Sequence, residues 1–254
     1  MDPTLPLTGF FVGLLIGLTG IGGGALMTPF LILVLGVRPV VAVGTDLAYG
    51  AVTKLAGAAL HWRQGTVDLR LVGRLAVASV PAGVLAALLA RWLPSDEIDP
   101  LVRQMLGGVL LLVAVLMLAR LATGDATDVS GRWRARLQGS GTYVVGGVVG
   151  ALVGFTSVGS GSLIVPFLVA VYPLNTAKVV GTDVFHAAIL VTATALAHAQ
   201  GGLVDWPLAG GLLLGSIPGV AAGSWMAPRF PPRALRLALA ILLLATGYTL
   251  VTGA

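Results

Sequence analysis

Cysteine is absent from all 254 residues. That removes disulfides, thiolate nucleophiles and cysteine-ligated metal or iron–sulfur sites, and no other cofactor or metal pattern takes their place. Charge is almost as scarce: 10% of the residues are Asp, Glu, Lys or Arg, against about one quarter in a soluble domain. The net charge of +5 comes mainly from arginines at the ends of apolar segments, a pattern of membrane anchoring that leaves no patch for nucleic acid. The N-terminus carries Asp2 and no basic cluster, so it does not resemble a cleaved signal peptide and is expected to stay in the first membrane segment.

What is there is hydrocarbon-like. Apolar residues make up 57% of the chain, and the mean hydropathy is +0.98. Apolar runs long enough to span a bilayer recur at Val41 to Leu60, Leu69 to Ala90, Val102 to Leu118, Val179 to Ala199, Pro207 to Ala227 and Leu235 to Val251. Two further regions, 7–35 and 143–172, are each split by glycines into arms of about 12 residues. Each arm would reach about 18 Å, roughly half the hydrocarbon thickness. The chain therefore predicts an all-α polytopic protein embedded in the lipid bilayer, with no residues left for a soluble domain.

The second half repeats the first. GLTGIGGGALMTPFL from Gly17 aligns with GFTSVGSGSLIVPFL from Gly154, an offset of 137 residues. The same offset carries Val43-Gly44-Thr45-Asp46 onto Val180-Gly181-Thr182-Asp183, His61 onto His198, Asp68 onto Asp205, and Pro81 onto Pro218. Each copy is thus a glycine-broken region, re-entrant or split, followed by three spanning helices. The first copy occupies 1–118, a basic linker 119–141, and the second copy 142–254.

Matched loops carry opposite charge. Arg63, Arg70 and Arg74 correspond to Gln200, Pro207 and Gly211, whereas the loop with Asp96, Glu97 and Asp99 corresponds to the loop with Arg229, Arg233 and Arg236. Because Lys and Arg mark the cytoplasmic side, the copies are expected to be inverted, with the linker inside the cell. Inverted repeats with discontinuous helices are a recurring design of secondary transporters, and the breaks lie at the binding site.

The breaks have the chemistry of an anion site. Helix starts after Gly20, Gly22, Gly23, Gly24 and after Gly159, Ser160, Gly161 would expose unpaired N–H groups at the positive end of a helix dipole. Thr19, Thr156, Ser157, Ser160 and Ser162 can add hydroxyls. A sulfite, sulfonate or carboxylate would suit such a site. Small residues that merely let helices pack closely are the plainer reading.

Ionisable residues inside apolar segments call for a reason, since each costs about 2.5 to 3.5 kcal/mol on insertion scales. Asp46 and Asp183, each following Thr45 or Thr182, either cap and pin the neighbouring break or act as protonatable coupling groups. Lys54, whose counterpart is Val191, either snorkels or lines the anion path. His186 stands where the first copy has Tyr49, and either binds substrate or packs. His61 and His198 fall at segment ends, where interfacial roles are expected. Pro81 and Pro218 should kink their helices.

The duplicated GLTGIGGG and GFTSVGSG breaks, the following Pro-Phe-Leu and the paired Val-Gly-Thr-Asp resemble the sulfite exporter TauE/SafE family of membrane permeases, over nearly the whole chain except the linker. The resemblance implies transport of sulfite, sulfoacetate or other organosulfonates in the cytoplasmic (inner) membrane of a bacterium. It leaves the coupling ion, proton or other, and homo-oligomerisation open. Two rival functions remain: a passive anion channel, and an intramembrane serine hydrolase using Ser160 with His186 or His198. The hydrolase fits poorly, because Gly23 replaces the serine in the first copy while the frame is kept. No catalytic residues are therefore assigned, and the protein is expected not to be an enzyme.

Overall fold

The computed structural model describes residues 4–19, 23–123 and 131–253. The described residues are helical apart from short turns. The first copy comprises α1 (Thr4–Thr19), α2 (Gly24–Leu33), α3 (Pro39–Arg63), α4 (Leu69–Trp92) and α5 (Ser95–Thr123). A short α6 (Gly131–Arg136) and a π-helical turn (Leu137–Gly141) lead into α7 (Thr142–Thr156), followed by α8 (Ser160–Val171), α9 (Thr176–Gln200), α10 (Trp206–Met226) and α11 (Pro232–Thr252).

Each expected span has its helix, usually longer by a few residues at both ends. Helix runs into both ends of the linker: α5 continues to Thr123, and helix resumes at Gly131. Arg132, Arg134 and Arg136 are compatible with helix, and composition alone does not show that. Among the described residues, six helical stretches are long and apolar enough to cross a membrane: α4, α5, the run from α6 through α7, α9, α10 and α11. α3 is 25 residues long but carries Asp46, Lys54, His61 and Arg63, and the 43–49 stretch is buried in protein rather than facing lipid. Pro81 and Pro218 lie inside α4 and α10, which continue as helices through them.

The packing interleaves the two copies. α1 lies along α10, and α7, its counterpart, lies along α4. Glycines spaced four apart make these contacts. A Cβ at Gly13 would sit 2.6 Å from the Ser216 carbonyl oxygen, and one at the matched Gly150 would sit 2.1 Å from that of Ser79. Only glycine lets the backbones approach so closely, the main source of helix adhesion where no water is expelled. Gly9, Gly13 and Gly17 meet Leu212, Ser216 and Val220 in ascending order, so α1 and α10 run parallel, as do α7 and α4.

α3 meets its own counterpart α9 the other way round. Gly50 faces Val191 and Gly57 faces Val184, an antiparallel register, and Trp62 stacks on Phe185 at 5.4 Å. α5 and α11 are likewise antiparallel, with Gly107 against Leu250 and Val251. Since α3 and α4 reverse across a short turn, as do α9 and α10, α1 and α3 point the same way. α2 must then carry the chain back, and the broken region forms a hairpin. Both hydrophobic cores draw on both copies, so neither copy has a core of its own.

One cross-copy contact is made twice. The backbone N–H of Asp205 donates to Thr45 Oγ1 at 3.0 Å, and that of Asp68 donates to Thr182 Oγ1 at 3.0 Å. Each aspartate also caps its helix, accepting from Leu71 N or Leu208 N. Thr45 and Thr182 therefore tie each copy to the first turn of a helix in the other.

Candidate functional site

The two breaks touch. α1 ends at Thr19 and α2 starts at Gly24, while Gly20 and Gly22 lie outside the described residues. α7 ends at Thr156, and Ser157 takes a left-handed conformation (φ 61°) that turns the chain sharply. A Cβ at Gly24 would lie 2.2 Å from the carbonyl oxygen of Ser157. The first break must therefore be glycine at the point where it rests on the second.

Asp46 joins them. Its Oδ2 accepts from Thr28 Oγ1 on α2 at 2.6 Å and from Ser157 Oγ at 2.7 Å. It is 1% exposed, and two hydroxyl donors offset part of the cost of burying a carboxyl group. Both hydrogen bonds run from Asp46 to a residue of a break or of the arm that follows it.

Asp183, its counterpart, has no such partners among the described residues. The 137-residue offset places Val165 where the first copy has Thr28, and Gly20 corresponds to Ser157. Neither side chain can donate a hydrogen bond. Asp183 is 5% exposed, and its Oδ1 has no hydrogen-bond partner.

Around the joined breaks lies a cavity of about 260 Å³. Gly23 and Gly24 line it from the first break, Ser157, Gly159, Ser160, Gly161 and Ser162 from the second, and Asp46 and Lys54 from α3. In α8 the first backbone bond runs from Leu163 N to Gly159 O, so the N–H groups of Ser160, Gly161 and Ser162 precede it and lack helical partners. α2 starts in the same way, with Leu26 N donating to Gly23 O. Two positive helix ends therefore border one space.

A larger cavity of about 420 Å³ adjoins it, sharing Lys54, Gly161, Ser162 and Val184. Asp183 and Thr19 line it, together with Arg120 from α5 and Arg236 from α11. Lys54 faces both spaces, and among the described residues no carboxylate lies within ion-pair distance of it. Snorkelling to the surface is not what its position shows.

Several sequence candidates lie elsewhere. Thr156 Oγ1 donates back to Leu152 O at 2.7 Å and accepts from Val158 N, so it shapes the turn rather than facing the cavity. Thr19 lines the larger cavity, but its Oγ1 donates back to Leu15 O. His186 is fully buried and pairs with Ser79 Oγ of α4 at 2.8 Å, away from both cavities. Tyr49 stands beside Gly23, with Cε1 3.2 Å from where a Cβ would be. His198 is not interfacial: it is 1% exposed and donates from Nε2 to the Gly154 carbonyl oxygen at 2.9 Å. Its place at the end of an apolar run misleads, because arm α7 ends beside it. Neither histidine hydrogen-bonds to Ser160, so no nucleophile–base pair is assembled there.

Sequence reasoning missed Thr28, Arg120 and Arg236. Thr28 was legible in principle as the one hydroxyl of the TGIGGGALMTP stretch whose counterpart, Val165, is apolar. The two arginines read only as end-of-helix charges until α5 and α11 are brought together.

A polytopic helical bundle with broken helices, polar cavities at the breaks and a lysine facing both cavities from inside a helix defines a membrane transporter. Comparison with known proteins agrees. The model of the sulfite exporter TauE/SafE family matches residues 5–250, and the chain belongs to that family. It is 43% identical to the probable membrane transporter protein YjnA of Bacillus subtilis, over 99% of this chain and all of the relative. It is 30% identical to a probable membrane transporter protein of Xylella fastidiosa, over 88% of this chain and 84% of that one. No solved structure matches.

Proposed function

We propose that this protein carries a small oxyanion, sulfite or an organosulfonate, across the cytoplasmic membrane of a bacterium by alternating access, with the anion held between the breaks. The carrying observation is the cavity bordered by the first-turn N–H groups of both α2 and α8 and by the Lys54 side chain. Backbone dipoles and one ammonium can hold a single anionic charge without a second buried cation. The family description supplies the sulfur-containing class.

The inverted arrangement is part of the proposal. Supporting it, α3 and α9 are matched helices that run antiparallel in contact. Given that register, Arg63, Arg70, Arg74, Arg120, Lys178, Arg229, Arg233, Arg236 and the linker arginines gather at one end of the bundle, and Arg38, Arg91 and Arg103 at the other. The first end is then cytoplasmic.

The test is counterflow in proteoliposomes. Liposomes preloaded with sulfite, sulfoacetate or a carboxylate should accumulate the labelled anion transiently above equilibrium. Simple equilibration without overshoot would instead indicate a channel. If none of the anions moves, the assignment is wrong.

A further inference from the structure

The two intramembrane aspartates are equivalent by repeat but not by environment. Asp46 receives two hydroxyl hydrogen bonds. Asp183 has Val165 and Gly20 where those donors would stand, and faces the larger cavity; Oδ1 of each aspartate is buried and unpartnered. Lys54 reaches that same cavity and also the anion cavity.

Resting on the transporter reading, we propose that Asp183 is the coupling site, taking up one proton for each anion that binds, with Lys54 as the counter-charge passed between them. With the anion cavity empty, the Lys54 ammonium offsets the Asp183 carboxylate across the shared space. An arriving anion draws the ammonium to itself. The uncompensated carboxylate of Asp183 then takes a proton from the water of the cavity.

Charge decides that both must move together. Adding an anion and a proton leaves the charge of the buried site unchanged, whereas adding either alone leaves an uncompensated unit charge in low dielectric, at a cost of several kcal/mol. Only the empty and the doubly loaded forms can then reorient readily. Asp46 is unsuited to the task, because Thr28 and Ser157 hold it in both forms and its release would part the breaks.

The charged and titratable groups around Asp183 are few. α3 presents Lys54, and Arg120 and Arg236 face it across the cavity from α5 and α11. On its own helix His186 is one turn away but bonded to Ser79. α8 contributes Ser162, whose hydroxyl is also unpartnered, and no titratable group.

The experiment uses the full chain in proteoliposomes with an entrapped pH dye, and singly charged sulfonates such as methanesulfonate as probes. In the wild type, an anion gradient should drive proton movement, and an imposed gradient of one pH unit should concentrate the anion about tenfold, the equilibrium ratio for one proton. Asp183→Asn should keep counterflow within about threefold of wild type yet lose pH-driven accumulation entirely. Asp183→Glu should recover part of it.

Anion-driven proton flux that persists in Asp183→Asn, or net anion movement down its gradient in the wild type without proton flux, overturns the inference while leaving the transporter reading intact. If Asp183→Asn does not fold, the wild-type dye signal and Asp183→Glu still decide. Absence of counterflow for every anion overturns the transporter reading and this one with it.

Discussion

Asp46 and Ser157 lie 111 residues apart in the chain, yet Asp46 Oδ2 accepts the Ser157 hydroxyl at 2.7 Å. The serine sits at the left-handed residue that ends α7, and the aspartate lies inside α3. A single carboxylate oxygen thus fastens the break of one copy to the helix of the other, while its second bond, from Thr28, fastens the first break. Any change in the distance between the breaks must stretch one of these bonds.

Thr28→Ala and Ser157→Ala should each destabilise the protein by about 1 to 3 kcal/mol, because each leaves a buried carboxylate short of a donor. Their effects should be non-additive, since both act on the same oxygen. Detergent-solubilised melting temperatures in a double-mutant cycle measure this, and strict additivity would show that the two bonds are independent.

Lys54→Gln should weaken anion binding by about tenfold to a hundredfold, the worth of a lost charge-assisted bond. Any fall in melting temperature should be recovered by adding Asp183→Asn, which removes the carboxylate that Lys54 offsets. Titration of sulfite and sulfoacetate against the purified protein checks it. A large fall in stability with unchanged affinity would make Lys54 structural.

Gly150→Val should prevent assembly, since a Cβ there would stand 2.1 Å from the Ser79 carbonyl oxygen and α7 could not lie along α4. Gly147→Val, one helical position away from that seam, should be tolerated, its nearest neighbour being the Ala78 Cβ at 3.9 Å. Size-exclusion profiles of the two variants should differ accordingly.

The absence of cysteine makes topology directly measurable. Asp96→Cys and Arg233→Cys occupy matched positions of the two copies and are both exposed. In intact cells a membrane-impermeant maleimide should label the first, and should label the second only after permeabilisation. Labelling of both under the same condition would contradict the inverted arrangement.

His186 was legible as an unusual intramembrane residue, but its role was not. Whether a histidine faces a ligand or a serine on the next helix depends on helix rotation, and α9 is turned so that His186 meets Ser79. His198 misled for a related reason: the end of an apolar run is a surface only when no other segment ends beside it. The breaks were better specified, because the glycines that interrupt each apolar region also appear at matched positions in the other copy.

By itself the sequence determined that the protein lives in a bilayer, that it is two copies of one helical unit, and where each copy breaks. Those properties are local or periodic: hydrophobic length, glycine clustering and a constant offset. Tertiary structure alone decided that the copies interleave, that Asp46 holds both breaks while Asp183 holds neither, and that Lys54 stands between two cavities. Each of these is set by which faces of distant helices meet, and glycine spacing along the contacts allows that meeting without naming the partner.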